Sequence, residues 1–125
     1  MCDDATSQVT HKLSADFVNT WDYYSALVFA NAVSKGFRRP GAIVTDERMI
    51  VLMHCELSEA IEWIRRGNPQ SDHIPEFSGL EEELADLVIR IMDMGEARDL
   101  RIAQAVLRKI AYNARREKRH GGKEF

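Results

Sequence analysis

Four carboxylates in this chain fall at spacings that chemistry can use. In "LMHCELSEAIEW", Leu52, Glu56, Glu59 and Trp63 are spaced four, three and four, so on a helix they form one stripe with two acids between a leucine and a tryptophan. In "LEEELADLVIRIMDM" the Glu-x-x-acid spacing returns at Glu83 and Asp86. Side chains three apart on a helix have Cβ atoms about 5–6 Å apart, a distance at which two carboxylates can share one ion or serve two neighbouring ions. Acids gathered in a partly dry place raise one another's pKa, and they then take up protons or bind a cation. An all-oxygen set favours Mg²⁺ or Mn²⁺ over zinc or copper. A di-iron site of the Glu-x-x-His kind is excluded, because the i+3 partners are Glu59 and Asp86. The plain alternative is a solvated surface: Glu-x-x-Glu is common on helices, and Asp86, Arg90 and Asp93 also fit a ladder of i,i+4 and i,i+3 ion pairs.

The elements that must hold these acids read as helices, with almost no strand alternation, so the expected fold is all-α and four-helix-bundle-like. The first helix is expected from about Ser14, a fit N-cap, to Ser34, with Gly36 placed to stop it. Phe17, Trp21, Tyr24 and Val28 mark its buried face, and Asn31 continues that stripe. After the connector "GFRRPGAIV", Thr45 or Asp46 caps a second helix running to Arg66. The third runs from about Leu80 to Met94, and the fourth from about Leu100 to Arg116 or beyond. Between Leu84 and Met94 only Asp86, Arg90 and Asp93 are charged, on one narrow strip that Glu83 extends. The rest of that helix is apolar and needs cover from other helices or a second subunit, which points to at least a homodimer with the acidic slot near the interface.

At 125 residues, 45% apolar and 30% charged, the chain reads as one helical domain over 14–125, preceded by a flexible tail over 1–13 and ending in a mobile basic tail over 117–125. No run of about 18 uncharged apolar residues exists, so no membrane span is expected. The first residues carry acids where a secretory signal carries bases, and the expected location is the cytoplasm. Cys2 and Cys55 are far apart and read as free thiols. A net charge of −3 argues against nucleic-acid partners. The charge is uneven, acidic from Glu76 to Glu96 apart from Arg90 and basic from Arg115 onward.

The segments "LMHCELSEAIEWIRRGN", "ELADLVIRIMDM" and "KIAYNARREKRHGGKEF", in that order, resemble the MazG-like all-α nucleoside triphosphate pyrophosphohydrolases, in particular their short, phage-type single-domain branch. The resemblance extends to "AVSKGF" and covers roughly Asp16 to Phe125. It implies hydrolysis of a nucleoside triphosphate, a canonical or modified deoxynucleotide, between the α and β phosphates, for nucleotide-pool control. It implies that Glu56, Glu59, Glu83 and Asp86 hold Mg²⁺ and that one of them, or Glu82, orients the attacking water. It gives the triphosphate to Lys109, Asn113, Arg116, His120 and Lys123, and the base to candidates on or after the first helix, Trp21, Asn31 and Phe37.

Lys109, Asn113, Arg116 and His120 share one strip if the fourth helix continues, as Glu117 allows where many relatives have proline. Tyr112, Phe37 and Trp63 also fit plain packing, His54 a structural or exposed role, and Arg90 an ion pair with Asp86 or Asp93. Two other functions remain on this sequence: a module that binds nucleotide or metal without turnover, and an enzyme like the phosphoribosyl-ATP pyrophosphohydrolases.

Overall fold

The ends of a helix leave backbone groups that something must satisfy, and here the sequence supplies partners at most ends. In a computed structural model, which describes residues 2–38, 41 and 43–116 and side chains from residue 7 onward, the chain forms α1 (Cys2–Ser34), α2 (Asp46–Arg65), α3 (Gly79–Ala97) and α4 (Ile102–Arg115). Among the described residues no strand forms, only an isolated bridge between Gln70 and Ser78. Among the described residues no helix is long and apolar enough to cross a membrane. The chain divides into two compact units, one made of α1 as far as Tyr23 with the chain from Arg101, the other running Tyr24–Leu100. The stretch expected as one helical domain is therefore described as these two.

α1 starts at Cys2, not at the Ser14 cap, and the residues expected as a tail are its first turns. Nothing in "CDDATSQVTHKLS" breaks a helix, since it lacks both Gly and Pro. Its other end is where expected. Gly36 takes φ 79°, Phe37 N–H reaches Ala32 O at 3.1 Å and Gly36 N–H reaches Val33 O at 3.1 Å, the paired bonds of a left-handed glycine stop. The face expected to be buried is only partly covered: Trp21 and Val28 are half-buried while Phe17 and Tyr24 are exposed.

In the second unit α2 and α3 form the main helix pair. Thr45 Oγ1 accepts from Arg48 N–H at 3.2 Å to cap α2. Ser78 and Glu81 close a reciprocal capping box on α3, with Ser78 N–H donating to Glu81 at 2.7 Å. That bond holds the Glu81 carboxyl below its ordinary range. Between the helices Gly67 and Asn68 take positive φ, and Asn68 Oδ1 accepts from Leu80 N–H at 2.9 Å, so the turn caps the helix it feeds. At the far end Arg98 donates to Asp46 Oδ1 and to Val44 O, each at 2.6 Å. These bonds tie the end of α3 to the start of α2, and the two helices are antiparallel.

The pair closes on one contact. Trp63 is 8% exposed, and a Cβ at Gly79 would overlap its indole ring, so the glycine lets α3 begin flush against α2. Met49 and Ala60 complete the buried apolar set of α2. Outside this centre much remains open, including Ile61 at 52%, Leu84 at 44% and Val88 at 40%.

α4 differs from its expected course. Arg116 is extended at φ −72° and ψ 150°, so the helix ends at Arg115 despite Glu117. Of the expected strip's described residues, Lys109 and Asn113 lie within the helix and Arg116 follows its end. A Gly79→Ala substitution should cost about 1–3 kcal/mol through overpacking against Trp63, although alanine is the better helix former. Urea unfolding should show a lower midpoint with an unchanged slope; equal or greater stability would mean that the indole moves aside freely.

Candidate functional site

Glu56 and Glu59 stand one turn apart on α2, and the antiparallel pairing brings Glu83 of α3 beside them. One oxygen from each lies within 4.8 Å of the other two. Glu56 and Glu83 are 6% and 7% exposed, whereas Glu59 is open to solvent. The acids expected from spacing thus converge, with one exception. Asp86 is not part of this close group; it lines a neighbouring cleft together with Glu56.

Each buried acid has a partner that orients it. Trp63 Nε1–H donates to Glu83 Oε1 at 2.8 Å, and Arg90 Nε–H donates to Glu56 Oε1. Arg66 lies over the Trp63 ring at 4.4 Å from its centroid, packing the indole from outside. Burial pushes the Glu83 carboxyl up, the Trp63 hydrogen bond opposes this, and the neighbouring Glu59 charge adds to it. Burial likewise raises Asp86, reinforced by Glu56 and Glu82 and opposed by Arg90. The cluster is therefore short of positive charge even with Arg90 present.

Glu82, named beside the four acids as an alternative group for orienting water, is bound to the turn that precedes α3. Ser71 Oγ–H donates to its Oε2, and His73 Nδ1 lies 2.6 Å from its Oε1. The Ser71 bond, then the His73 bond, hold Glu82 below its ordinary range, and the same carboxylate raises the exposed His73. Ser71 is itself buried and accepts from the His73 and Ile74 amides, each at 3.1 Å.

A cleft of about 580 Å³ opens from the Glu56–Asp86 side toward α1 and the connector after it, in the size range of small-molecule sites. Asn31, Arg38, Arg48, Glu56, Asp86, Arg90 and Asp93 supply its polar lining, and Val28, Phe37, Met49, Leu52 and Ile89 are among its apolar walls. Arg38 donates to Asp93 Oδ2 at 2.5 Å, and its guanidinium lies 5.3 Å from the Phe29 ring centroid. The expected pairing of Arg90 with Asp86 or Asp93 is replaced: Arg90 goes to Glu56 on the facing helix, and Arg38 takes Asp93. The other Asp93 oxygen, Oδ1, is buried and has no hydrogen-bond partner among the described residues.

The remaining candidates divide between the units. Asn31 and Phe37 line the cleft of the second unit. Trp21 belongs to the first, its ring 6.1 Å from that of Phe17. In that unit Lys109 and Arg116 both lie over Tyr112, at 4.6 and 5.9 Å from its ring centroid. Asn113 is exposed on α4. His120 and Lys123 lie outside the described residues. His54 and the free thiol of Cys55 are exposed on α2.

Sequence reasoning did not find the role of Trp63 as a donor to Glu83, although its place four residues after Glu59 on the same stripe was a usable sign. Arg38 lies in an aperiodic connector and gave no such sign. No family model, curated protein or solved structure matches the chain.

Because the Glu83 carboxyl is raised in the folded chain, folding favours its protonated form. In metal-free buffer the cost is absent below the unfolded carboxylate range, grows as pH rises through it, and persists above. Glu83→Gln keeps an oxygen for the Trp63 indole and removes the charge. Its thermal midpoint should match the parent at about pH 4 and exceed it at about pH 8; a lower midpoint at the higher pH would refute this account.

Proposed function

We propose that this chain is a Mg²⁺-dependent nucleoside triphosphate pyrophosphohydrolase of the MazG-like kind, releasing pyrophosphate and a nucleoside monophosphate from a deoxynucleotide. The observation that carries the reading is the convergence of Glu56, Glu59 and Glu83, from two helices, to within 4.8 Å. This donor set suits a hard divalent ion: all its atoms are carboxylate oxygens, two of the acids are nearly buried, and burial raises Glu83 against its charged form. A bound divalent ion supplies positive charge to phosphate oxygens and lowers the pKa of its water.

The chain's own part is to hold and orient. Trp63 fixes the Glu83 carboxylate through its indole N–H, and Arg90 fixes Glu56. Asp86, at the adjoining edge of the cleft, completes the four acids of the resemblance. The cleft takes the nucleoside, with Asn31 on its wall. By resemblance, Lys109, Asn113, Arg116, His120 and Lys123 serve the triphosphate. The fold is proposed to be of the MazG type and to work as a homodimer or homotetramer. Leu57, Ile61 and Ile64 make an open apolar stripe on α2, and Leu84 and Val88 one on α3, which suits burial against a second copy.

A second reading has one observation behind it. The Arg90–Glu56 pair already neutralises one acid, as a module that binds nucleotide without turnover would tolerate.

The test is pyrophosphate release from a panel of deoxynucleoside triphosphates, with and without Mg²⁺, by the parent and by Glu59→Gln. Glu59 is exposed, so its replacement leaves the helix pair intact. Release should require Mg²⁺, and the substitution should lower kcat by at least about 100-fold. Nucleotide binding without release by the folded parent would favour the module; release that is indifferent to Glu59 would remove the acids from the chemistry.

A further inference from the structure

The acid cluster and the cleft lie in the second unit, whereas Lys109, Asn113 and Arg116, which the resemblance gives to the triphosphate, lie in the first. A polyphosphate carries more negative oxygens than an ion at the cluster can face, and the rest favour charged N–H donors close by. Three arginines line the cleft, and they differ in what already holds them. Arg38 is bound to Asp93 and packed over Phe29. Arg48 is exposed on α2, eight positions before Glu56 and about 12 Å from it by helical rise. Arg90 touches the cluster itself.

A guanidinium carries five N–H donors in a planar fork. Arg90 uses one of them, the Nε–H that donates to Glu56 Oε1. Among the described residues nothing else accepts from this side chain, so the N–H groups of its two terminal nitrogens are free. The side chain is 39% exposed and lines the cleft, whereas the Glu56 it holds is nearly buried. Asp86, one turn earlier on α3, feels the same positive charge, which opposes the rise of its carboxyl. Arg90 therefore joins the acids to the cleft, with one nitrogen engaged and two to spare.

We propose that Arg90 is a further substrate-binding residue of this site, keeping its Nε–H on Glu56 while its terminal nitrogens hold phosphate oxygens of the nucleotide. The inference rests on the nucleotide reading above and supplies, within the α2–α3 unit, a cation that the resemblance does not name. Because Arg90 is bonded to one of the cluster's own acids, a polyphosphate at the cluster comes within its reach. Two N–H groups on one guanidinium edge match two phosphate oxygens, and no movement away from Glu56 is needed. Lysine has no such fork and cannot serve both partners in this way.

The experiment measures, by calorimetry in Mg²⁺ buffer, how the full chain binds α,β-imido analogues of the deoxynucleoside triphosphates, which report affinity without turnover. Binding of Mn²⁺ alone, followed by its paramagnetic resonance signal, is measured on the same samples. Arg90→Gln should bind the analogues about 10–100-fold more weakly than the parent, through loss of the charge-assisted bonds to phosphate. It should bind Mn²⁺ alone no less tightly, because a positive charge has left the cluster. A residue that served only the fold or Glu56 would lose both affinities together. Arg90→Lys keeps a charge beside Glu56 and covers the case in which the glutamine variant does not fold; it should weaken analogue binding by about 3–10-fold.

Analogue affinity unchanged in these variants, or lost in step with that for Mn²⁺, would overturn the inference, as would a folded parent that binds no analogue. Arg90-dependent analogue binding by a chain that turns over no triphosphate would support it and sink the hydrolase reading. Turnover together with analogue binding indifferent to Arg90 would do the reverse.

Discussion

Like charges packed into a place with little water are the constraint around which the α2–α3 pair is built. Glu56 and Glu83 are nearly buried and share their surroundings with Glu59, an arrangement that costs stability unless each charge is answered. The chain answers in part, through one indole N–H and one guanidinium. Both donors come from the helix pair itself, Trp63 on α2 donating to α3 and Arg90 on α3 donating to α2. The polar crossings therefore run in both directions, and separating the helices would expose two acids and strand two donors at once. The same partial answer leaves the cluster still favouring added positive charge.

Apolar geometry sets how closely the acids meet. α3 begins at a glycine because the Trp63 ring occupies the space a side chain would need. Ser71 and His73 grip Glu82 one residue before Glu83, so the first turn of α3 is fixed in rotation as well as in distance. At the other end Arg98 holds Asp46 and Val44. With both ends of the pair fastened, the spacing of the carboxylates in the middle is a property of rigid elements, the condition under which a weak ligand set becomes a defined site.

Much of this frame was legible from residue types. The Gly36 stop, the Thr45 cap and the stripe joining Glu56, Glu59 and Trp63 depend on local backbone chemistry and helical period, both written into short windows of sequence. What was not legible is what depends on three dimensions. Spacing placed Glu83 and Asp86 together, but on the folded pair Glu83 joins the α2 acids while Asp86 turns to the cleft. Arg90 makes its ion pair across to Glu56 on the facing helix, a choice that i,i+4 rules cannot express. Serine caps helices well, which singles out Ser14, yet with no breaker before it α1 runs back to Cys2. The Arg38–Asp93 pair joins a connector without periodicity to a helix far along the chain, so no window contained both.

The strip of α3 that carries Glu83, Asp86, Arg90 and Asp93 shows how one helix face can meet chemically different neighbours. Going from its amino end, Glu83 meets an indole donor, Asp86 an open cleft edge, Arg90 a facing acid and Asp93 a guanidinium. A solvated ladder would pair these residues with one another at three and four positions, and it would keep the charges exposed. Here Arg90 and Asp93 find their partners on other elements, and Glu83 is buried. Surface solubility does not need such an arrangement, because exposed charges are satisfied by water. Partners drawn from α2 and from the connector are what a face requires when it lines an interior space, and the cleft along α3 is that space.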